Sequence, residues 1–325
     1  MKRLARATAP AKVILLGEHF VVHGCRALVT AIDLRAEVTC IRVEGKAIEL
    51  RSGKLFCIRR PDGGVDADER SWKTLKPLLS LVDELLSEYV SNAIGVRVEI
   101  DSRIPKGAGL GSSAAVSVAL AKALSSLLEV ELSNEELKRM AMKPEQEIHG
   151  MPSGIDPHIT TYGGILVFQR PNSWEELEQN PMKLIIINSG RRRRTGKLVE
   201  RFRNFTEAYP ELFYDMRSLY DRLFEEALSS YLAGDLETLG RLMAVNGFML
   251  RLAGVSTPEL DRIVEASMEK NIYGAKLTGA GGGGCVIALP KQDEASRVAE
   301  ELRQRFQRVW VSECPREGVR VEETL

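Results

Sequence analysis

The sequence has little that would tie it to the cell exterior, a membrane or nucleic acid. Cysteine is sparse: Cys25, Cys40, Cys57, Cys285 and Cys314 are the five in 325 residues, scattered and never spaced as C-x-x-C. Neither a disulfide framework nor a cysteine zinc site fits that spacing, and a reducing cytoplasm is the expected setting. There is no surplus of either charge, because 45 basic and 45 acidic residues balance to zero. That balance removes any general pull toward nucleic acid or an anionic bilayer. No apolar run approaches the ~20 residues that span a bilayer. The opening MKRLARATAPAK has basic residues but lacks the apolar core and cleavage site of a secretory signal. Internal repeats and long low-complexity segments are also missing.

What is present suits a soluble enzyme-sized chain. A 44% hydrophobic content permits real cores, 28% charged residues is ordinary, and the length fits two domains. Short β-like runs are predicted at Val13–Leu16, Ala27–Ile32, Ala36–Val43 and Ala47–Leu50, then a polar loop over 60–69 and a helix over 73–89. A strand at Val96–Ile100 precedes an apolar helix over 112–128. Ser133 with Glu136 forms a capping-box pattern for the next helix, which Pro144 is expected to break or kink. After a strand at 163–168, the stretch PNSWEELEQNP reads as a linker, setting domains at 1–180 and 181–325. The second part reads as a strand (183–190), long helices over 197–252 interrupted at Pro210 and Gly234, then strand 285–289, helix 292–306 and strand 309–313. This order suits an α+β fold of open sheets and helices.

Four stretches carry residues suited to chemistry. The first is PKGAGLGSSAA (105–115), between the predicted strand and the apolar helix. A helix start offers unpaired backbone N–H groups at the positive end of its dipole, and glycines let the backbone curl around an anion. Ser112 and Ser113 are suited to cap the helix, to bind a phosphate oxygen or to reach a magnesium ion. A tight strand-to-helix turn is the alternative reading of this stretch alone. The second, APAKVILLGEHFVVHG (9–24), places Lys12, Glu18, His19 and His23 around a short apolar strand. The third, EQEIHGMPSGIDPHITTYGG (145–164), offers Glu145, His149, Ser153 and Asp156 beside turn formers, two carboxylates suited to metal and base roles. The fourth, KLTGAGGGGC, holds five glycines in the six positions 279–284. So much glycine costs backbone entropy, and close approach of another backbone or a ligand would justify it.

Together these segments resemble the GHMP kinases, most closely the mevalonate kinases. Pro105–Ala115 matches the family's phosphate loop, P-x-x-x-G-L-G-S-S-A-A, while GEHFVVHG, HGMPSGID and KLTGAGGGGC match in order over residues 9–289. The resemblance implies an N-terminal domain like domain 2 of ribosomal protein S5 and a ferredoxin-like C-terminal domain, with ATP and substrate between them. It implies ATP-dependent phosphorylation of the C5 hydroxyl of mevalonate, with Mg2+ as cofactor. Asp156 takes the place of the general base and Lys12 that of the lysine contacting it. Pro105, Lys106, Gly107, Ala108, Gly109, Leu110, Gly111, Ser112, Ser113 and Ala114 fall on the ATP loop, and Ser113 and Glu145 on the magnesium ligands. Glu18, His19, Arg193, Thr195, Gly281 and Gly282 fall on substrate positions. Mevalonate and ATP are the implied partners, neither nucleic acid nor membrane is expected, and a homodimer is the protein assembly left open.

The chain departs from the family pattern at Met151, at Pro157, at Pro144 beside Glu145, and at Gly247, where a longer polar residue is usual. The run RRRR (191–194) reads either as a solvated loop or as a phosphate-facing one next to Thr195. The second reading opens phosphomevalonate as an alternative acceptor. An RNA-binding protein on the same fold is the alternative of a different class, but no aromatic stripe accompanies the run. Ser71, Trp72 and Lys73 lie in a plausible region for the adenine.

Overall fold

The computed structural model describes the chain except Met1, Met151, Asn172, Gln179 and residues 192–194, and except the side chains at positions 149, 195–197 and 199. The first half comprises β1 (Leu4–Leu16), a short 3-10 turn (Phe20–His23), β2 (Ala27–Val43), β3 (Ile48–Ser52), β4 (Leu55–Arg59) and β5 (Val65–Asp66). It continues through α1 (Glu69–Tyr89), β6 (Gly95–Ser102), α2 (Ser112–Leu127), α3 (Asn134–His149), α4 (Ile155–Tyr162), β7 (Ile165–Gln169) and β8 (Ser173–Glu176). The second half has β9 (Lys183–Asn188), α5 (Thr195–Ala208), α6 (Pro210–Leu232), α7 (Leu236–Leu252) and α8 (Pro258–Met268). It ends with β10 (Ile272–Leu277), β11 (Cys285–Pro290), α9 (Ala295–Arg303), β12 (Val309–Glu313) and β13 (Arg320–Thr324).

Two sheets result. The larger runs β13-β1-β2-β6-β3-β4-β5, with β7 and β8 branching from β2; the smaller runs β10-β11-β9-β12. Strand β2 is one continuous element where two were expected, because its halves serve different partners. Ala27–Thr30 pair with β7, and Ala36–Val43 pair with β6. Strand β1 begins well before the predicted Val13, and its face toward the core is built of Ala5, Ala7, Ala9 and Ala11, all fully buried. The small side chains let α2 lie close over the strand, and the fully buried Leu120, Leu124 and Leu127 of that helix each contribute about 1.5–3 kcal/mol relative to exposure. Pro10 is accommodated because the β1–β2 register shifts between Pro10 and Ala11, a bulge where no ladder N–H is needed.

Several expectations are corrected. Helix α3 does not break at Pro144 but runs on to His149, its capping box at Ser133 and Glu136 in place and Met140 and Ala141 buried against its neighbours. Proline deletes one hydrogen bond of the helix, and packing on α1 and α2 holds the remaining turns in line. The stretch expected to be a linker forms β8, which pairs with β7 and places Trp174 on Phe168 and His158. Helix α8 and the strands β10 and β13 lie where no element was expected. Strand β13 pairs with β1, so the chain's last strand joins the first sheet, and a division after residue 180 does not separate the strands of the two sheets completely.

Candidate active site

Three stretches distant in sequence meet at the start of α2. The backbone N–H of Lys12, on β1, donates to the carbonyl of Leu110 at 2.9 Å, which ties the loop 105–111 to the strand. The loop is anchored from below by Ala108 and Leu110, both buried, while Lys106 and Gly107 remain exposed. The Lys12 side chain is buried, and its Nζ lies 3.1 Å from Oδ1 of Asp156, in the first turn of α4. The Asp156 side chain keeps 30% of its surface open, so the pair has one sealed end and one end open to solvent. Gly111 sits directly over it: a Cβ there would come within 3.2 Å of Lys12 Cγ and 3.5 Å of Asp156 Oδ2.

The end of α2 is left open to an anion. Gly111 is its N-cap, in a left-handed conformation, with no side-chain cap and no acidic residue in the first turn. Ala115 makes the first intrahelical bond back to Gly111, so the N–H groups of Ser112, Ser113 and Ala114 precede the helical ladder. By contrast, Asp68, Ser133, Asp235 and Thr257 cap α1, α3, α7 and α8 with their side chains. Neither serine of the loop therefore acts as the cap. The Ser113 hydroxyl instead lies beside Glu145, which α3 carries to the same place.

Glu145 is 2% exposed. Burial pushes its carboxyl up to about 7, the charge of Asp156 adds to the rise, and Ser113 and Lys12 oppose it. A buried carboxyl crowded by a second carboxylate and a hydroxyl is a hard-oxygen donor set that a divalent cation would relieve. Among the described residues no group of three or more His, Cys, Asp or Glu gathers. Mg2+ itself takes one or two carboxylates and completes its shell with phosphate oxygens and water.

The other wall comes from the turn after β1 and from the glycine-rich segment after β10. His19 is buried, stacks on Phe202 at 4.8 Å and lies with Nε2 3.0 Å from the carbonyl oxygen of Ala280, so Nε2 carries the hydrogen. Glu18 forms a fully buried ion pair with Lys276. Thr278 accepts from the N–H of Ile14 at 3.0 Å and donates to its carbonyl at 3.2 Å. Sequence reasoning missed Lys276 and Thr278, although both lie in the quoted KLTGAGGGGC, because a buried charge shows its partner only once the strands are placed.

The glycines of that segment meet protein rather than open space. A Cβ on Gly281 would fall 2.2 Å from the carbonyl oxygen of Val255, and one on Gly282 would fall 2.4 Å from Leu198 Cδ1. Gly247 of α7 has the same kind of role, since its Cβ would meet that of Lys276 at 2.7 Å. A longer side chain there would displace the lysine that reaches Glu18. The Ser71 hydroxyl bonds to Asp68 at the start of α1, where it completes the cap. Met151, Arg193 and Arg194 lie outside the described residues, as do the side chains of His149 and Thr195.

Known proteins match along nearly the whole chain. Family models for the GHMP kinases N terminal domain and the GHMP kinases C terminal match residues 76–164 and 223–308. The mevalonate kinase of Aeropyrum pernix is 36% identical over 99% of this chain and 100% of its own length. That of Pyrococcus furiosus is 35% identical over 98% of each. The crystal structure of L. major mevalonate kinase in complex with R-mevalonate superposes with a TM-score of 0.82 at 28% identity, covering 94% of both chains. With relatives of this identity aligned along nearly its whole length and both family models matched in order, the chain belongs to the GHMP kinase family.

Proposed function

We propose that this chain transfers the γ-phosphoryl group of ATP to the C5 hydroxyl of (R)-mevalonate, giving 5-phosphomevalonate and ADP. The observation that carries the reading is the Lys12–Asp156 pair beneath the uncapped start of α2, in a chain whose full-length relatives are mevalonate kinases. Asp156 takes the hydroxyl proton as the C5 oxygen forms its bond to the γ-phosphorus and the bond from that phosphorus to the ADP oxygen breaks. Lys12 lies against the carboxylate and stabilises negative charge on the attacking oxygen.

The N–H groups of Ser112, Ser113 and Ala114, with the loop Pro105–Gly111, hold the phosphates at the helix end. Glu145 and Ser113 would hold Mg2+, which when bound neutralises charge on the phosphates. Glu18 and His19, fixed by Lys276 and Ala280, form the acceptor wall, and Gly281 and Gly282 shape it by letting the backbone close on Val255 and Leu198. Arg193 and Thr195 are assigned to the substrate side from their sequence position alone. Among the described residues no helix is long and apolar enough to cross a membrane, and small charged substrates suit a cytoplasmic enzyme.

The test is mass spectrometry of the products formed from ATP with mevalonate, phosphomevalonate, galactose or homoserine offered separately. Phosphorylated mevalonate is the expected product; transfer to phosphomevalonate alone would replace this reading.

A further inference from the structure

Trp174 lies in β8, in the stretch first expected to be a linker, and its ring packs on the helix that carries Asp156. It stacks on the ring of His158 with centroids 4.2 Å apart and planes nearly parallel. It also meets Gly154, the N-cap of α4 with φ +81, where a Cβ would lie 3.5 Å from Trp174 Cη2. Gly154 and His158 are the two ends of one helical turn, closed by the His158 N–H donating to the Gly154 carbonyl at 3.2 Å. Residues four apart share a helix face, and the residue midway between them projects from roughly the opposite side. That midway residue is Asp156, so the indole backs the turn from behind the carboxylate.

The indole is itself held by the sheet that holds Lys12. Trp174 pairs with Phe168 of β7 and lies against its ring at 4.6 Å. Strand β7 pairs with β2 through Phe168 and Ala27, and β2 pairs with β1 through Ala31 and Lys12. Ile155 and Ile159 of α4 are buried in one apolar cluster with Phe168 and Ala31, and Trp174 packs against that cluster. Each step from Lys12 to the back of the Asp156 turn is thus a strand pairing or a ring contact. A helix of eight residues is marginal by itself, so what packs on α4 sets the direction of its first turn.

We propose that Trp174 is a positioning residue for phosphoryl transfer: by packing on Gly154 and His158 it fixes the first turn of α4 and keeps the Asp156 carboxylate on Lys12, beside the phosphate loop. This rests on the assignment of Asp156 as the general base. A misplacement of about 1 Å at a reacting group can cost on the order of a hundredfold in rate, so a ring that does not touch the substrate still acts on turnover.

The experiment is steady-state kinetics of full-length Trp174→Ala, Trp174→Phe, Asp156→Asn and the double variant Asp156→Asn/Trp174→Ala, with both substrates varied and thermal unfolding recorded for each. Trp174→Ala is expected to lower kcat by about tenfold or more with the KM for ATP within about twofold. Trp174→Phe keeps a flat ring on His158 and should recover kcat to within about threefold of the parent. Asp156→Asn removes the group being aimed, so in that background Trp174→Ala should change the residual kcat by less than about twofold. A fall of about tenfold in that background would show that the ring acts on something other than Asp156 and overturns the inference. A parent-like kcat in Trp174→Ala, or a Trp174→Phe enzyme as slow as Trp174→Ala, overturns it too. Should Trp174→Ala fail to fold, Trp174→Leu fills the space without a flat face and replaces it in both backgrounds, under the same expectations. Loss of turnover in Asp156→Asn with a silent Trp174→Ala sinks only this inference; full turnover in Asp156→Asn sinks the assignment of the base itself.

Discussion

The ammonium of Lys12 lies 3.1 Å from one carboxylate oxygen of Asp156, and the other oxygen of that carboxylate lies beside Gly111, at the mouth of the phosphate loop. One residue comes from a long buried strand and the other from the first turn of a short helix, so their meeting is set by the fold and not by local sequence. The arrangement sets one carboxylate oxygen against a fixed cation and the other against the start of α2.

Replacing Asp156 with alanine should therefore cut kcat by at least roughly a hundredfold, the lower end for losing a general base. The KM for mevalonate should change much less, because the interaction lost is made mainly in the transition state. Initial-rate kinetics at saturating ATP checks both numbers, and turnover near that of the parent enzyme would remove Asp156 from the mechanism.

A second prediction concerns the metal. Ser113 lies beside Glu145 and lowers its pKa, while the buried carboxyl is held up to about 7 by burial and by the neighbouring charge of Asp156. A cation there favours the ionised form, so Glu145→Gln and Ser113→Ala should each raise the Mg2+ concentration needed for half-maximal activity. Ser112→Ala should leave that midpoint in place, since it is Ser113 and not Ser112 that acts on Glu145. A magnesium titration at fixed ATP separates the three variants; an unmoved midpoint in both Glu145→Gln and Ser113→Ala would mean that the ligands lie elsewhere.

How much of this was legible beforehand varies with the kind of signal. The phosphate loop, Lys12, Asp156 and Glu145 stood out because glycine clusters and polar groups beside apolar runs are local features. The extent of β1 was hidden because its buried face is alanine, a poor strand former chosen here to admit α2, and alternation of alanine with polar residues reads weakly. Strand β13, RVEET, reads as a polar tail, and only pairing with β1 makes it a strand. Lys276 sits in a short strand among apolar residues, and its partner is supplied by a turn near the other end of the chain. The glycines of 281–284 were read as making room for a backbone or a ligand, and the contacts of Gly281 and Gly282 are with Val255 and Leu198.

His158 gives a pH prediction. It is buried, stacked on Trp174 at 4.2 Å with nearly parallel rings, and among the described residues neither ring nitrogen has a hydrogen-bond partner. Burial, with the nearby charge of Lys138, lowers its pKa to about 4, while Glu135 pulls the other way. A histidine whose folded pKa lies below its unfolded value binds fewer protons folded than unfolded, so its share of stability is complete above about 6.5 and is lost as pH falls through about 4. That share amounts to at most roughly 3 kcal/mol. His158→Phe keeps the stacking and removes the titration, so urea unfolding at pH 7.5 and pH 4.5 should show a smaller acid loss in the variant. Equal losses in the two proteins would show that the ring does not titrate in this way.

The glycine-rich turn yields the last prediction. Gly281 has φ +77 and faces the carbonyl oxygen of Val255 so closely that a Cβ would lie 2.2 Å from it. The adjacent Gly282 donates its N–H to that same carbonyl at 2.9 Å, so the turn cannot back away without breaking the bond. Alanine at 281 thus incurs two costs, a left-handed backbone of about 1–2 kcal/mol and a contact with rigid backbone that must be relieved by moving the turn. Moving it shifts Ala280, whose carbonyl holds His19, the residue proposed to contact mevalonate. Gly281→Ala should therefore be destabilised by at least about 2 kcal/mol. It should also show a raised KM for mevalonate, with the KM for ATP little changed. Denaturant unfolding and two-substrate kinetics test the two consequences separately. A variant as stable as the parent would show that the turn adapts, and a rise confined to the KM for ATP would place the segment on the nucleotide side of the cleft.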